Sequence, residues 1–332
     1  MATVSRAGAA LRFVHDCDPG ISRIRRGKGF SYHYPDGSSI ADPALLGRLK
    51  SVGLPPAYSD CWYCMEPDGH ILATGYDERG RKQYRYHPDY RAERDADKFD
   101  RCAQFGLALP AMRKRVARDL RKRSPHRDRA LAAVVRLLDE GKLRIGNSHY
   151  ARTNGSFGAS TLLRRHARVV SGKLHLRFRA KSGKEQDLLV EDKGLYRFMR
   201  DMSDLPGQRL FQYVDDDGAV HAVSSGDVNA YIRDAMGTDF TAKHFRTFGA
   251  SVIAFSQLVE ADSPVSIKQM LAPVCDALGN TPAIARKSYV HPRLFDWCGQ
   301  DPEEVKRSLG KLPRRTKWLT REERGLVAFV GA

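Results

Sequence analysis

The chain has 332 residues, enough for one large core or two ordinary ones, and 42% hydrophobic with 29% charged residues is a globular rather than a disordered or fibrous composition. Its 56 Lys and Arg against 39 Asp and Glu leave a net charge of +17, so a polyanion is the natural partner, bound through counterion release. No apolar run approaches the roughly 18 residues that span a bilayer, and the first 18 residues lack the apolar core of a signal peptide, so a cytoplasmic location is expected.

Residues 29–90 are aromatic and rich in turns. Phe30-Ser31-Tyr32-His33-Tyr34 reads as a strand running into a Pro35-Asp36-Gly37 turn, and residues 61–65 and 71–74 read as a hairpin around Pro67-Asp68-Gly69. One short helix is expected between them, with Asp42 as its cap, Pro43 in its first position and Gly53 at its end. Cys61 and Cys64 form a C-x-x-C, which raises zinc or redox chemistry, but no second ligand pair stands at a suitable spacing. Trp62, Tyr63 and Met65 make an apolar strand the simpler reading, and the six scattered cysteines suit a reducing compartment.

The texture changes after about residue 92 to helical patterns. Helices are expected over residues 110–123 and 127–140, the second with Leu131, Val134, Val135 and Leu138 on one face and Gly141 as its stop. Residues 173–190 form the main exception, an alternating strand, a Ser182-Gly183-Lys184 turn and a returning strand. Further helices fit residues 225–236, 241–259 with Thr241 as cap, and 266–278 ended by Gly279. The expected fold is therefore α+β: residues 1–91 a small β-rich domain, residues 92–332 a larger, mainly α-helical one bearing a β-hairpin. Within residues 110–123, Arg113, Lys114, Arg115, Arg118, Arg121, Lys122 and Arg123 are relieved by a single acid, Asp119. A solvated helix normally mixes its charges, so this stretch is read as a phosphate-contacting surface.

Four segments carry the candidate chemistry: Leu143-Arg144-Ile145-Gly146-Asn147, Phe178-Arg179-Ala180-Lys181-Ser182-Gly183-Lys184, Lys243-His244-Phe245-Arg246-Thr247-Phe248-Gly249, and residues 278–292, which contain Asn280-Thr281-Pro282 and Arg286-Lys287-Ser288-Tyr289-Val290-His291-Pro292. In this order they resemble the type IB DNA topoisomerases, in the compact form of poxviruses and bacteria, from about residue 20 to residue 300. The resemblance implies a β-rich N-terminal DNA-clamp domain and a helical catalytic domain related to the tyrosine recombinases. It makes Tyr289 the nucleophile, Arg144 and Arg246 phosphate-binding groups, Lys181 the general acid, and Asn280 a further donor to the phosphate. Position 280 holds His or Asn in the family, and Asn looks like the bacterial branch.

The residue types suit these roles. A phosphotyrosine intermediate stores the energy of the broken phosphodiester, so resealing needs no ATP. Guanidinium groups bind the charge that develops on non-bridging oxygens, and an ammonium protonates the departing 5′ oxygen. Lys184, three residues beyond Lys181, competes for that last role. His166, His244 and His291 are expected to contact DNA or to satisfy local hydrogen bonds. No H-E-x-x-H, acidic quartet or G-x-x-x-x-G-K-[ST] loop appears, so neither metal nor nucleotide cofactor is expected. The implied partner is supercoiled duplex DNA, held by a monomer associated with the nucleoid. The rivals are a tyrosine recombinase and a DNA-binding protein that has lost catalysis.

Overall fold

Strand alternation organises the first part of the chain and helical packing the rest. The computed structural model describes residues 11–27, 29–122, 125–202 and 206–331, excluding the side chains of residues 95–98. Two compact units divide it, Met1–Asp97 and Lys98–Ala332.

In the first unit β1 (Ile21–Arg26), β2 (Gly29–His33), β3 (Ser59–Tyr63), β4 (Ile71–Tyr76) and β5 (Lys82–Tyr86) form an antiparallel sheet in the order β2-β1-β3-β4-β5. Its inward residues Ile21, Tyr32, Tyr63 and Ala73 are buried with Leu49 of α1 (Pro43–Ser51), the short helix between β2 and β3. The Asp42 carboxylate accepts the Ala44 and Leu45 N–H groups at 3.0 and 3.4 Å, and Gly53 follows the helix at φ +67°, a conformation that costs glycine nothing. Cys61 and Cys64 are buried free thiols that pack into two different apolar clusters. The expected strand and hairpin are present; β1 and β5 join them, each too rich in Arg, Lys or Gln to stand out by hydrophobicity.

The second helix, α2 (Pro88–Asp119), corrects an expectation: it begins at Pro88 rather than near Pro110, which lies inside it. Proline there forfeits one backbone hydrogen bond and crowds the preceding turn, but 32 residues of packed helix tolerate it. At Gly106 on the same helix an added Cβ would stand 2.3 Å from Val327 and 2.7 Å from Phe248, so glycine permits close helix contact. Next comes α3 (Arg127–Gly141), whose residues Ala130 to Val135, Leu137 and Leu138 are all at most 1% exposed. A helix apolar on every side is a central one. Its terminus also differs from expectation: Gly141 is the last helical residue, and Lys142 takes the left-handed position at φ +51°. A Cβ on Gly141 would lie 2.7 Å from Leu188, so that glycine is needed for packing.

The rest of the unit surrounds α3. After α4 (Ser148–Asn154) come β6 (Ala167–Val170), β7 (Lys173–Arg179) and β8 (Glu185–Val190) as a three-stranded antiparallel sheet; β6 extends the expected hairpin. Then follow α5 (Lys193–Asp201), a small hairpin of β9 (Gln212–Val214) and β10 (Val220–Ala222), α6 (Ser225–Met236), α7 (Ala242–Val259), α8 (Ile267–Leu278), α9 (Pro282–Ser288), α10 (Pro302–Leu309) and α11 (Arg321–Gly331). Caps fall where side chains or glycine supply them: Ser224 and Ser266 accept at their helix starts, and Gly237 and Gly279 end theirs in the left-handed region. The architecture is α+β. No helix among the described residues is long and apolar enough to cross a membrane.

Candidate active site

Three of the four motif segments, those of Arg144, Arg246 and Asn280–Tyr289, converge in the second unit, at the ends of α3, α8 and α9. Arg144 stands two residues beyond the left-handed turn that closes α3. The chain after it passes so close to Gly158 that a Cβ there would lie 2.5 Å from the Arg144 carbonyl, and that carbonyl accepts the Ala159 N–H at 2.8 Å. Gly146, at φ +93°, completes the contact. Asn147 then caps α4 through Oδ1, at 2.8 Å from the His149 N–H. In this R-I-G-N string the glycine and asparagine therefore build the bend that presents the arginine.

Arg246, on the buried face of α7, is 4% exposed. Its Nη2 donates to the Leu278 carbonyl at 3.0 Å and its Nη1 to the Lys142 carbonyl, so the C-terminal ends of α8 and α3 grip one guanidinium. The guanidinium carbon lies 4.9 Å from the centroid of the Tyr289 ring. Arg144 reaches the same place from the other side, donating from Nη2 to Oδ1 of Asn280 at 2.6 Å. Asn280 is 7% exposed and follows Gly279, the left-handed stop of α8.

Tyr289 sits at the C-terminal cap of α9, half-buried, with its backbone pinned from both sides by Ser251. The Ser251 hydroxyl lies 3.3 Å from the Tyr289 carbonyl and accepts the His291 N–H at 3.0 Å. Burial alone would raise the Tyr289 phenol; the charges of Arg246 and Arg144, with donors of Arg246 and Asn280 within reach, outweigh it and hold the phenol below its ordinary value. Burial, and then the charge of Arg144, bring Arg246 down to about 10, so it stays charged at neutral pH.

Among the described residues neither Arg144 nor Arg246 has a carboxylate within ion-pair distance, and Arg246 Nε and Asn280 Nδ2 are buried without a well-aligned hydrogen bond, the Tyr289 phenol being an acceptor within reach of both residues' donors. Buried unpaired donors are uncommon in folded proteins. Two uncompensated cations and two such donors around one tyrosine make a site built for an anion. No group of three or more His, Cys, Asp or Glu among the described residues is placed to hold a metal ion.

Lys181 lies at the tip between β7 and β8, in a 3₁₀ turn (Lys181–Gly183) where Ser182 and Gly183 are left-handed at φ +65° and +76°. Both Lys181 and Lys184 are exposed. Across the base of this hairpin, Gln186 packs on Gly279: a Cβ on that glycine would lie 2.5 Å from Nε2. The hairpin is thus seated beside the turn that carries Asn280.

The three histidines have local work. Nδ1 of His166, His244 and His291 accepts the backbone N–H of Leu163, Thr241 and Arg293 respectively. His244 is 5% exposed and its ring faces Phe105 and Phe240. At α7 it is this ring, not the Thr241 hydroxyl, that caps the helix.

The basic run of α2 is not one solvated face. Arg113 is half-buried between a pair of carboxylates, donating to Asp139 at 2.7 and 2.9 Å and to Glu323 at 2.7 and 2.8 Å. Arg115 pairs with Asp234, Arg118 with Asp119 at 3.1 Å, and Lys122 with Asp128 at 2.7 Å. Lys114 and Arg121 are exposed, and Arg121, just past the end of α2, donates back to the Ala117 carbonyl at 3.0 Å. Arg123 lies outside the described residues. The sequence shows one acid in this stretch because the others come from far along the chain; Glu323 is 210 positions from Arg113.

Sequence reasoning passed over Lys142, Ser251, Gly158 and Glu323. Only Lys142 and Ser251 left a trace, each a few residues from a motif arginine.

Comparison with known proteins agrees with this site. Residues 87–285 match the family described as eukaryotic DNA topoisomerase I, catalytic core, and residues 29–77 match the bacterial DNA topoisomerase IB N-terminal domain. The chain belongs to the type IB DNA topoisomerases, and it is an isomerase. DNA topoisomerase 1B of Acanthamoeba polyphaga mimivirus is 30% identical over 298 residues, which cover 86% of this chain and 89% of that protein. DNA topoisomerase 1 of Mycosarcoma maydis is 25% identical over 230 residues, 62% of this chain but 22% of that longer protein.

Proposed function

We propose that the protein relaxes supercoiled duplex DNA of either sign by transient cleavage of one strand, without ATP or metal. Tyr289 attacks a backbone phosphorus, forming a 3′-phosphotyrosyl bond and releasing a 5′-hydroxyl end. The duplex rotates about the intact strand, and the 5′-hydroxyl attacks back, expelling the tyrosine. Supercoil strain supplies the free energy.

The observation that carries this reading is the pair of guanidiniums at Tyr289 that lack carboxylate partners among the described residues, in a protein whose Arg113 is doubly neutralised. Arg144 and Arg246 bind the non-bridging oxygens, whose charge grows as phosphorus becomes five-coordinate. Asn280 adds a neutral donor through Nδ2. The cations that depress the Tyr289 phenol also favour the phenolate that attacks. Lys181 gives a proton to the departing 5′ oxygen. Of the basic run, Lys114, Arg118 and Arg121 are exposed and take DNA phosphates; Arg113 and His244 are committed to the fold. One chain contains every proposed group, which suits a monomer.

The test is incubation of the purified protein with negatively supercoiled plasmid in EDTA without nucleotide, beside Tyr289→Phe. Relaxation by the native chain alone is expected. Relaxation that survives Tyr289→Phe, or that requires metal or nucleotide, would overturn this mechanism.

A further inference from the structure

Arg246 owes half of its grip to a backbone atom in an unfavourable place. The Lys142 carbonyl accepts Arg246 Nη1 only because Lys142 is left-handed, at φ +51°, a conformation that a non-glycine residue seldom adopts. The Lys142 side chain supplies a reason for it to stay there. Its Nζ turns back to the carbonyls of Asp139 and Glu140, the latter at 3.4 Å, and so satisfies acceptors left open at the end of α3.

The lysine stem has a place made for it. It lies across Gly249 of α7, where an added Cβ would stand 2.5 Å from Lys142 Cδ and 2.6 Å from Cε. Gly249 is one turn along α7 from Arg246 and ends the K-x-x-R-T-F-G string. The Asp139 carboxylate beside this ammonium is held by Arg113, which also binds Glu323 of α11. The end of α3 is therefore braced from two other helices. Burial lowers the Lys142 pKa, as expected for an ammonium largely enclosed by protein.

We propose that Lys142, seated in the notch at Gly249, is a positioning residue for DNA cleavage: its side chain holds its own carbonyl on Arg246 and fixes the approach of Arg144 two residues on. The inference rests on the reading of Arg246 as a phosphate-binding group. Groups that orient a functional side chain typically matter by about 10- to 100-fold, and the same range is expected here.

Lys142→Met, Gly249→Ala, the double variant Lys142→Gly with Gly249→Ala, and Arg246→Ala are compared with the native protein. Single-turnover cleavage is measured on a duplex oligonucleotide that the native protein cleaves, alongside equilibrium binding to it. Lys142→Met and Gly249→Ala should cleave about 10- to 100-fold more slowly while binding DNA within about threefold of native. The double variant should recover most of the rate, because glycine adopts the left-handed turn freely and leaves room for the new methyl group.

The same proteins are then given a duplex whose scissile phosphate carries a methyl group in place of one non-bridging oxygen. With less charge for the arginine to bind, the deficits of Lys142→Met and Gly249→Ala should shrink. Equal deficits on both substrates, accompanied by a lower melting temperature, indicate a merely structural role and overturn the proposal. Native-like cleavage by Lys142→Met and Gly249→Ala, with Arg246→Ala slow, also overturns it but leaves the role of Arg246 standing. Native-like cleavage by Arg246→Ala overturns the reading beneath it.

Discussion

Arg144 Nη2 donates to Oδ1 of Asn280 at 2.6 Å, joining side chains 136 positions apart. The bond fixes the amide: its oxygen is engaged, so Nδ2 is the end left to donate, and in the proposed reaction it donates to a phosphate oxygen. Asn280→Asp keeps the acceptor, loses that donor and adds negative charge, so cleavage should slow by about 10²-fold or more. Asn280→His should offer a charged donor only while protonated, giving a loss of rate as pH rises through about 6.5 that the native protein does not show. Single-turnover cleavage from about pH 5 to 8 checks this; parallel profiles for the two proteins would sink it.

Tyr289 itself should set an inflection at higher pH. Burial pushes its phenol up, but Arg246 and Arg144 hold it below its ordinary value, so the phenolate gains population at lower pH than in a free tyrosine. The cleavage rate should rise with pH and level off below the reference of about 10. In Arg246→Ala the inflection should move upward as the slope persists to more alkaline pH. An inflection common to both proteins would separate the arginine from activation of the nucleophile.

His244 and His291 make folding sensitive to acid. Burial first, then neighbouring cations, push each down to about 4. An unfolded histidine takes a proton near 6.5, whereas these rings stay neutral until about 4. Each therefore contributes stability that is fully present above about 6.5 and is lost as pH falls toward 4, on the order of 2–3 kcal/mol apiece. The thermal midpoint should fall across that interval, and His244→Asn, which does not titrate, should flatten the decline. Unchanged pH dependence in His244→Asn would show that its ring is not kept neutral.

The fold was readable wherever one local signal sufficed. Asp42, Gly53 and Gly279 mark their termini by cap chemistry alone. Local signals misled where tertiary contact decided the outcome. Pro110 looks like a helix start but is carried inside α2, and Gly141 looks like a stop but is spent on contact with Leu188. The positions now proposed as catalytic were visible as short strings of unusual residues. What surrounds them was not, because Ser251 reaches Tyr289 across 38 positions and Glu323 reaches Arg113 across 210.

The basic run of α2 separates into two kinds of arginine, and substitution should tell them apart. Arg113→Ala leaves Asp139 and Glu323 buried without their cation, so it should destabilise by about 3–5 kcal/mol. Arg121→Ala removes an exposed side chain and should change stability by less than about 0.5 kcal/mol. Its DNA affinity should fall instead, with the slope of log affinity against log salt smaller by about one. Denaturant titration and binding at several salt concentrations measure both; a salt slope unaltered by Arg121→Ala would remove it from the phosphate contacts.

The hairpin tip holds the choice between two lysines. Ser182 and Gly183, both left-handed, reverse the chain between Lys181 and Lys184, and the Ala180 N–H closes the turn on the Lys184 carbonyl at 2.7 Å. The two lysines therefore stand at opposite ends of a tight bend, and both are exposed. The charge of Lys184 acts on Cys275 of α8, against the burial that raises that thiol. An alkoxide is a poor leaving group and needs a proton, so Lys181→Ala should cleave ordinary DNA about 10²–10⁴-fold more slowly. A 5′-bridging sulfur leaves as a thiolate without one, and on that substrate Lys181→Ala should approach the native rate. Lys184→Ala should be little affected on either. If sulfur rescues Lys184→Ala and not Lys181→Ala, the proton comes from the base of the turn and the roles exchange.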